Sequence, residues 1–147
     1  MIKARAKAAG AVLAGAALMT GLGTGEAMAA TSASKQPFSA SGTSHSGWSG
    51  YTNGSMTFYQ RSVNITGTVK SNTTGCVRAE FNVWSGSSIT DTQYRTACGR
   101  GPGSSKGFNF TSPTLRGGAG SIQVRLDAVT ADGRYLEYID GNYVYNP

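Results

Sequence analysis

Residues that commonly carry catalysis or bind metals are scarce in this chain of 147 residues. It contains one histidine, His45, and only two cysteines, Cys76 and Cys98. A Ser-His-Asp triad would depend on His45 alone, and a zinc site needs about three or four His, Cys or carboxylate ligands. The composition therefore predicts a protein that is not an enzyme and that holds no metal and no other cofactor.

Carboxylates are also few, and the sequence places them beside arginines. A glycosidase needs two carboxylates, and the acids in strand-like segments are Glu80, Asp127 and Glu137. Glu80 follows Arg78 by two residues, and Asp127 follows Arg125 by two, so each acid shares a strand face with an arginine. If the two strands are neighbours, these charges form cross-strand ion pairs. We predict such pairs, with no raised carboxyl pKa, rather than a catalytic site.

Two further kinds of binding motif find little support. Asp132, Glu137 and Asp140 are close in sequence, but they could bind calcium together only if the turns around them converge. The glycine-rich stretches CGRGPG and RGGAG are not followed by a helical pattern, which a phosphate-binding glycine loop requires. Both kinds of motif are interpreted as turns and loops.

The sequence has one long apolar run, and it lies at the start. Three basic residues within the first seven precede Ala8–Leu22, and the small residues of Ala27–Ala29 follow. This order is typical of a bacterial secretory signal peptide. A membrane span, which is the alternative, needs roughly twenty strongly apolar residues. We predict a signal peptide over residues 1–29 and a secreted, extracellular product with no membrane segment after cleavage.

Positive charge exceeds negative charge, but it forms no cluster. The formal net charge is +6, and it falls to +4 when the three basic residues and one acid of residues 1–29 are removed. No basic run occurs, so a nucleic-acid partner is not predicted. The excess suits an anionic partner such as a charged cell-wall polymer, or it serves solubility alone.

Two cysteines in an exported chain usually pair. A disulfide between Cys76 and Cys98 would join residues 22 apart in sequence and stabilise the fold by about 3.4 kcal/mol through chain entropy. The alternative is a reactive thiol, but the histidine that would activate it, His45, lies far away in sequence. We therefore predict the disulfide.

Segments with a helical period are absent, and short alternating segments of apolar and polar residues take their place. The clearest are residues 63–70, 76–84, 106–111 and 121–129. Each has one apolar face, which is typical of a half-buried antiparallel strand. Turn-forming residues separate about seven or eight such segments at roughly ten-residue spacing. The pattern predicts an all-β fold, namely a single antiparallel β-sandwich or small barrel with one disulfide.

Beyond the signal peptide we expect two regions. Residues 30–44 are rich in Ser and Ala and are predicted to form a flexible leader, and residues 45–147 are predicted to form the β-sandwich domain. Within the domain, Asp132-Gly133 predicts a tight hairpin turn, and Asp140-Gly141 repeats the same signal.

Aromatic residues in polar positions are the strongest candidates for a binding site. Trp84 falls in the polar phase of its segment with Arg78 and Asn82, and Trp48 lies near Tyr51 among small residues. A ring on a rigid β face can stack on a sugar while neighbouring amide and guanidinium groups bond its hydroxyls. We therefore predict all five residues as ligand-binding candidates. The alternative is that these rings cap the edges of a small core, as Trp and Tyr often do.

Taken together, these features favour a small secreted, non-enzymatic binding module for an extracellular polysaccharide or cell-wall polymer. The alternative partner is an extracellular protein. In that case the disulfide-bonded loop would inhibit a secreted protease, with Arg95 or Arg100 filling its specificity pocket.

Overall fold

The computed structural model describes residues 33–147, so the predicted signal peptide, residues 1–29, lies outside the described residues. Within the described range every regular element is a β-strand, which confirms the predicted all-β class. The strands are β1 (Ser34–Thr43), β2 (Ser49–Phe58), β3 (Ser62–Ser71), β4 (Cys76–Ser85), β5 (Ser88–Cys98), β6 (Ser105–Pro113), β7 (Ser121–Val129) and β8 (Tyr135–Tyr145).

The eight strands of residues 33–147 form two antiparallel sheets of four. The first sheet has the order β1-β2-β3-β6, and the second has the order β5-β4-β7-β8. A single hydrophobic cluster draws its residues from both sheets. The sheets therefore pack face to face as a sandwich, with β1 beside β8 on one open side and β5 beside β6 on the other.

Alternate residues of both sheets fill the space between them, as the period-two pattern predicts. Phe81 of β4 lies at the centre of this core and is fully buried. Its ring centroid lies 5.6 Å from that of Phe38, 5.4 Å from that of Phe108 and 5.5 Å from that of Phe110. On the apolar faces of the four predicted segments Phe110 is partly buried, and the fully or almost fully buried residues are Val63, Ile65, Val69, Val77, Ala79, Phe81, Val83, Phe108, Ile122, Val124, Leu126 and Ala128.

The flexible leader predicted over residues 30–44 is wrong for the part that the structure describes. Residues 34–43 form β1, which pairs with β2 along its whole length. Phe38 and Ala40 are buried and the residues between and around them are not, which is the alternation of a strand. Pairing with β2 supplies the backbone hydrogen bonds that composition alone does not reveal. Residues 34–44 therefore belong to the sandwich, and the domain boundary predicted at residue 45 is wrong.

The two Asp-Gly signals have different outcomes. Asp132-Gly133 does lie in the turn between β7 and β8, where Gly133 has a φ of 87°. That turn spans residues 130–134 and is longer than a two-residue hairpin turn, with the Thr130 N–H donating to the Arg134 carbonyl over 2.9 Å. Asp140-Gly141 is not a turn, because it lies inside β8.

Polar side chains of β8 close the open side of the sandwich next to β1. The Ser41 N–H donates to Asp140 Oδ2 over 2.8 Å. Asn142 Nδ2 donates to the Ser39 carbonyl over 2.9 Å. Two backbone groups of β1 are therefore occupied by side chains of the opposite sheet.

Glu137 of β8 fixes the loop that joins β1 to β2. The Ser44 hydroxyl donates to its Oε2 over 2.8 Å, and the Ser46 N–H donates to the same oxygen over 3.2 Å. These hydrogen bonds lower the pKa of the Glu137 carboxyl below its usual value of 4.5, because they favour the charged form. Glu137 thus links β8 of the second sheet to the loop between two strands of the first sheet.

The predicted Cys76–Cys98 disulfide is confirmed. Cys76 and Cys98 are directly opposite each other in the register of β4 and β5, so the bond staples one hairpin. Disulfides persist in oxidising compartments, and this bond therefore indicates an oxidising, extracellular type of environment. Among residues 33–147, no helix is long and apolar enough to cross a membrane.

Candidate functional site

The sandwich has two ends, and the predicted site residues are spread over both. The disulfide end carries the connections at residues 44–48, 72–75, 99–104 and 130–134. The Trp84 end carries the connections at residues 59–61, 86–87 and 114–120. Trp48 lies at the first end and Trp84 at the second. Eight residues of extended strand, about 27 Å, separate Cys76 from Trp84 along β4, so the two tryptophans do not form one site.

Trp48 packs against the loop before the disulfide. A Cβ placed on Gly75 would lie within 3.1 Å of three atoms of the Trp48 ring, so only glycine leaves room for the indole there. The ring is half-buried and borders a shallow cleft with Thr73, Thr74 and Arg100. Trp48 therefore holds loop 72–75 in place, and a small part of its ring remains open to solvent.

Trp84 and Tyr51 are not exposed platforms either. Trp84 is half-buried, and its indole Nε1 is buried with no acceptor among the described residues. Tyr51 is half-buried on the outer face of the first sheet, where it pairs with Ser41 and Lys70. Tyr51 lies on the other sheet from Arg78 and Asn82, whereas Trp84 follows Asn82 by two residues on the outer face of β4, opposite Ser121 of β7. The structure thus brings three of the five predicted ligand-binding candidates, Arg78, Asn82 and Trp84, onto one sheet face.

Arg78 and Asn82 lie on the outer face of the second sheet, beside the predicted ion pairs. Strands β4 and β7 are neighbours, and their register pairs Glu80 with Arg125 and Arg78 with Asp127. Arg125 approaches Asp127 at 3.2 Å and Glu80 at 3.7 Å, and Arg78 approaches both acids at 3.7 Å. The predicted cross-strand ion pairs are confirmed. Arg78, Glu80, Arg125 and Asp127 are called the ion-pair network below.

The expectation of no raised carboxyl pKa is wrong for Asp127. Its side chain is fully buried, and burial raises the pKa of the carboxyl above its usual value of 3.8, although Arg125 and Arg78 act in the opposite direction. Asp127 Oδ2 has no hydrogen-bond donor among the described residues. The carboxyl is therefore held by charge attraction more than by hydrogen bonds, which is why desolvation prevails.

Asp127 is expected to make stability depend on pH in an unusual direction. Because its pKa is raised on folding, its contribution to stability is full below pH 3.8 and is lost as pH rises through the folded pKa. Asp127→Asn removes this dependence. The free energy of unfolding of the variant minus that of the native protein should therefore rise across this window, measured by urea unfolding at a series of pH values. Asp132→Asn, at an exposed turn carboxylate, is the control, and a difference that falls with pH would contradict the assignment.

Asn82 belongs to the same polar layer and has no free hydrogen-bonding group. It is 6% exposed. Its Nδ2 donates to Glu80 Oε1 over 2.7 Å and to Gln123 Oε1 over 3.4 Å, and its Oδ1 accepts from the Thr92 hydroxyl over 2.8 Å. Asn82 therefore fixes the position of Glu80 and is not available to a ligand without rearrangement.

Exposed tyrosines surround this buried polar layer. Register places Tyr94 of β5 opposite Glu80, and Tyr138, Tyr143 and Tyr145 of β8 opposite Asp127, Gln123 and Ser121 of β7. Their exposures are 50% for Tyr94, 47% for Tyr138, 49% for Tyr143 and 65% for Tyr145. We call this surface the tyrosine face. The sequence analysis did not predict this surface, although the i, i+2 spacing of Tyr143 and Tyr145 indicates that both lie on one side of a strand.

Each ring of the tyrosine face has a neighbouring group that it packs against. The Arg78 guanidinium lies 4.8 Å from the centroid of the Tyr94 ring, and Arg125 lies 6.0 Å from that of Tyr138. The Tyr143 and Tyr145 rings stack at 6.2 Å. Burial, aided by the Asp140 charge, raises the pKa of the Tyr138 hydroxyl above 10.0, so this hydroxyl is a hydrogen-bond donor at neutral pH.

A notch interrupts the tyrosine face at Gly141. The notch has a volume of about 120 Å³ and is lined by Arg125, Tyr138, Asn142 and Tyr143 among others. A Cβ at Gly141 would lie 2.7 Å from the Val124 carbonyl oxygen and 3.0 Å from the Tyr138 hydroxyl, so glycine keeps the notch open. Its size suits one substituent of a larger ligand.

The remaining acids lie apart and bind different partners. Asp132 pairs with Arg134 at 3.1 Å, whereas Glu137 binds the loop between β1 and β2 and Asp140 binds β1. Within residues 33–147 no three His, Cys, Asp or Glu side chains come close enough to hold a metal ion. The calcium arrangement considered from sequence does not form there.

Two other features bear on the enzyme and inhibitor hypotheses. Residues 103–107 read G-x-S-x-G, but Ser105 is the first residue of β6 and does not lie between a strand and a helix, as a nucleophile elbow requires.

The Arg95 guanidinium lies 4.1 Å from the centroid of the Phe110 ring, where it covers the open side of the core. Arg95 is therefore engaged, whereas Arg100, in the loop of residues 99–104, is exposed and donates from its Nε to the Asn72 carbonyl over 3.2 Å.

Comparisons of the chain with protein-family models, with curated protein sequences and with solved structures found no match.

Proposed function

We propose that this protein is a secreted, non-enzymatic binding module for an extracellular polysaccharide, and that the tyrosine face is its binding surface. The observation that carries the proposal is the set of four half-exposed tyrosine rings on one rigid sheet face. A ring that is already ordered loses little conformational entropy on binding, so stacking on a sugar is favoured. Tyrosine hydroxyls at the ring edges supply hydrogen bonds to sugar hydroxyls.

The charges beneath the face favour a neutral polysaccharide. Two arginines and two carboxylates cancel within the ion-pair network, and each arginine is already engaged by acids. The face therefore presents aromatic rings and uncharged polar groups, with little net charge to attract an anion. Four strands at about 4.8 Å spacing place Tyr94 about 14 Å from the tyrosines of β8, which is wide enough for several sugar rings.

The function is tested by retention of the protein on insoluble neutral polysaccharides and on purified cell walls, at low and at high salt. Retention on a neutral polysaccharide that persists in high salt is expected, because stacking is not screened by ions. Absence of retention on every polysaccharide would contradict the proposal, and inhibition of a secreted protease would then favour the protein-partner alternative.

The surface is tested by Tyr143→Ala together with Tyr145→Ala. Removal of the stacked pair should weaken retention about tenfold or more, since one half-buried ring is worth roughly 1.4 kcal/mol. The matched control is Tyr59→Ala, which removes a ring of similar exposure at the Trp84 end. Equal retention by the double variant and the native protein would assign the binding to another surface.

A further inference from the structure

Two exposed arginines share one cleft at the Trp84 end of the sandwich. Arg61 belongs to the turn between β2 and β3, and Arg116 belongs to the loop between β6 and β7. Both line a cavity of about 260 Å³, together with Gln60 and Gly117. Among residues 33–147, the ion pairs of arginine involve Arg78, Arg125 and Arg134, and neither arginine of the cleft takes part in one.

The backbones of the two loops are fixed against each other. The Thr114 N–H donates to the Arg61 carbonyl over 2.9 Å. Gly118 has a φ of +84°, and a Cβ there would lie 2.7 Å from the Tyr59 carbonyl oxygen, so only glycine allows the loop to lie on the turn. The Gly118 N–H donates to the Leu115 carbonyl over 3.1 Å and closes the loop on itself.

The charged side chains near this cleft favour an anion. Asp91 is the acid that register places nearest to it on the second sheet, opposite Val83, and its carboxylate accepts hydrogen bonds from Gln93 Nε2. The ion-pair network lies further along β4 and β7 and is neutral in itself. Two guanidinium groups that border one small cavity can bind the oxygens of a single anion with paired N–H donors.

We propose that the Arg61–Arg116 cleft binds an oxyanion, namely a phosphate or carboxylate group carried by an extracellular polymer. The cavity is smaller than the roughly 300 Å³ at which sites enclose a whole drug-sized ligand, so it takes a charged group while the rest of the polymer stays outside. This site goes beyond the proposed polysaccharide binding. It lies at one end of the sandwich, apart from the centre of the tyrosine face, and its binding is screened by salt.

The test is a titration of the ¹⁵N-labelled protein with sodium phosphate, sodium acetate and sodium chloride at constant ionic strength, followed by NMR. We expect saturable shifts of the Arg61 and Arg116 Nε–H signals and of the Gly117 amide with phosphate or acetate. The anion that saturates at the lower concentration identifies the preferred oxyanion. Shifts that do not saturate, or that chloride reproduces, would overturn the proposal.

Variants separate the cleft from general positive charge. Arg61→Gln with Arg116→Gln should weaken oxyanion binding at least tenfold, and Arg61→Lys with Arg116→Lys should weaken it less, because charge remains but the planar fork is lost. Arg100→Gln with Arg134→Gln removes two charges at the disulfide end and should change the affinity less than twofold. Equal weakening by this control would overturn the proposal. Retention on neutral polysaccharide should survive in every variant, so the two functions fail independently.

Discussion

Phe81→Ala is expected to lower the free energy of unfolding by about 3–5 kcal/mol. Phe81 is fully buried and its ring contacts three others from two strands of the opposite sheet, β1 and β6, at centroid distances of 5.4–5.6 Å. Truncation removes the favourable transfer free energy of the ring and leaves a cavity. Phe38, Phe108 and Phe110 cannot fill this cavity unless the backbones of their strands shift. Because a domain of this size is typically stable by only about 5–15 kcal/mol, the variant should be close to unfolded in mild denaturant.

Urea unfolding followed by circular dichroism measures this loss. Phe110→Ala is the matched control, since it removes the same ring from a position that is only partly buried. Its loss should be smaller, even though it also removes the contact with Arg95. A loss from Phe110→Ala that equals or exceeds that from Phe81→Ala would contradict the central place of Phe81.

Replacement of both disulfide cysteines by alanine is expected to cost about 3 kcal/mol. The bond joins residues 22 apart, and its loss lets the unfolded chain explore more conformations. Alanine is chosen because Cys76 is buried, and a serine there would add the cost of burying a hydroxyl. β4 is also the strand on which the core and the ion-pair network both depend, so fraying of its first residues should spread inward.

The comparison is between the double variant, the native protein and the native protein under reducing conditions, all by thermal unfolding. The reduced protein and the variant should agree, with melting temperatures several degrees or more below that of the oxidised protein. Thiol titration of the unreduced, denatured protein should detect no free thiol. Two titratable thiols, or a melting temperature unchanged by reduction, would contradict the role of the bond.

The sequence was most informative where one strand carries its own pattern. Alternation in β4 and β7 specified the inward residues, and the shared phase of Arg78 and Glu80 with Arg125 and Asp127 was enough to anticipate cross-strand pairs. Such pairs need only that two strands be neighbours in the right register, which the structure provides. For β4 and β7, the residue pattern of each strand alone was therefore enough to predict the contacts seen in the folded protein.

The sequence was least informative where order comes from distant partners. β1 has only Phe38 and Ala40 as buried apolar residues, and its place is set by β2 and by side chains of β8. Asp140-Gly141 has the local chemistry of a turn, but pairing with β7 keeps it extended.

The tyrosine face has the same limitation. Whether Tyr138 shares a side with Tyr143 depends on register shifts that lie beside Asp127 and Val129. Trp84 was predicted to be a ligand-binding residue because it lies on the polar side of its strand. Its indole nitrogen is nevertheless buried. Exposure at the end of a strand depends on the neighbouring loops, which the alternation of a single segment does not describe.

The bonds from β8 to β1 have a consequence for how copies of this protein meet one another. The outer rim of an edge strand is ordinarily a template on which a second chain can add a strand, and this is a common route to aggregation. On β1 the Ser41 N–H and the Ser39 carbonyl are already taken by Asp140 and Asn142. An incoming chain would have to displace both side chains, so this edge is a poor template for intermolecular β-sheet growth, and copies of the protein should remain separate at high concentration.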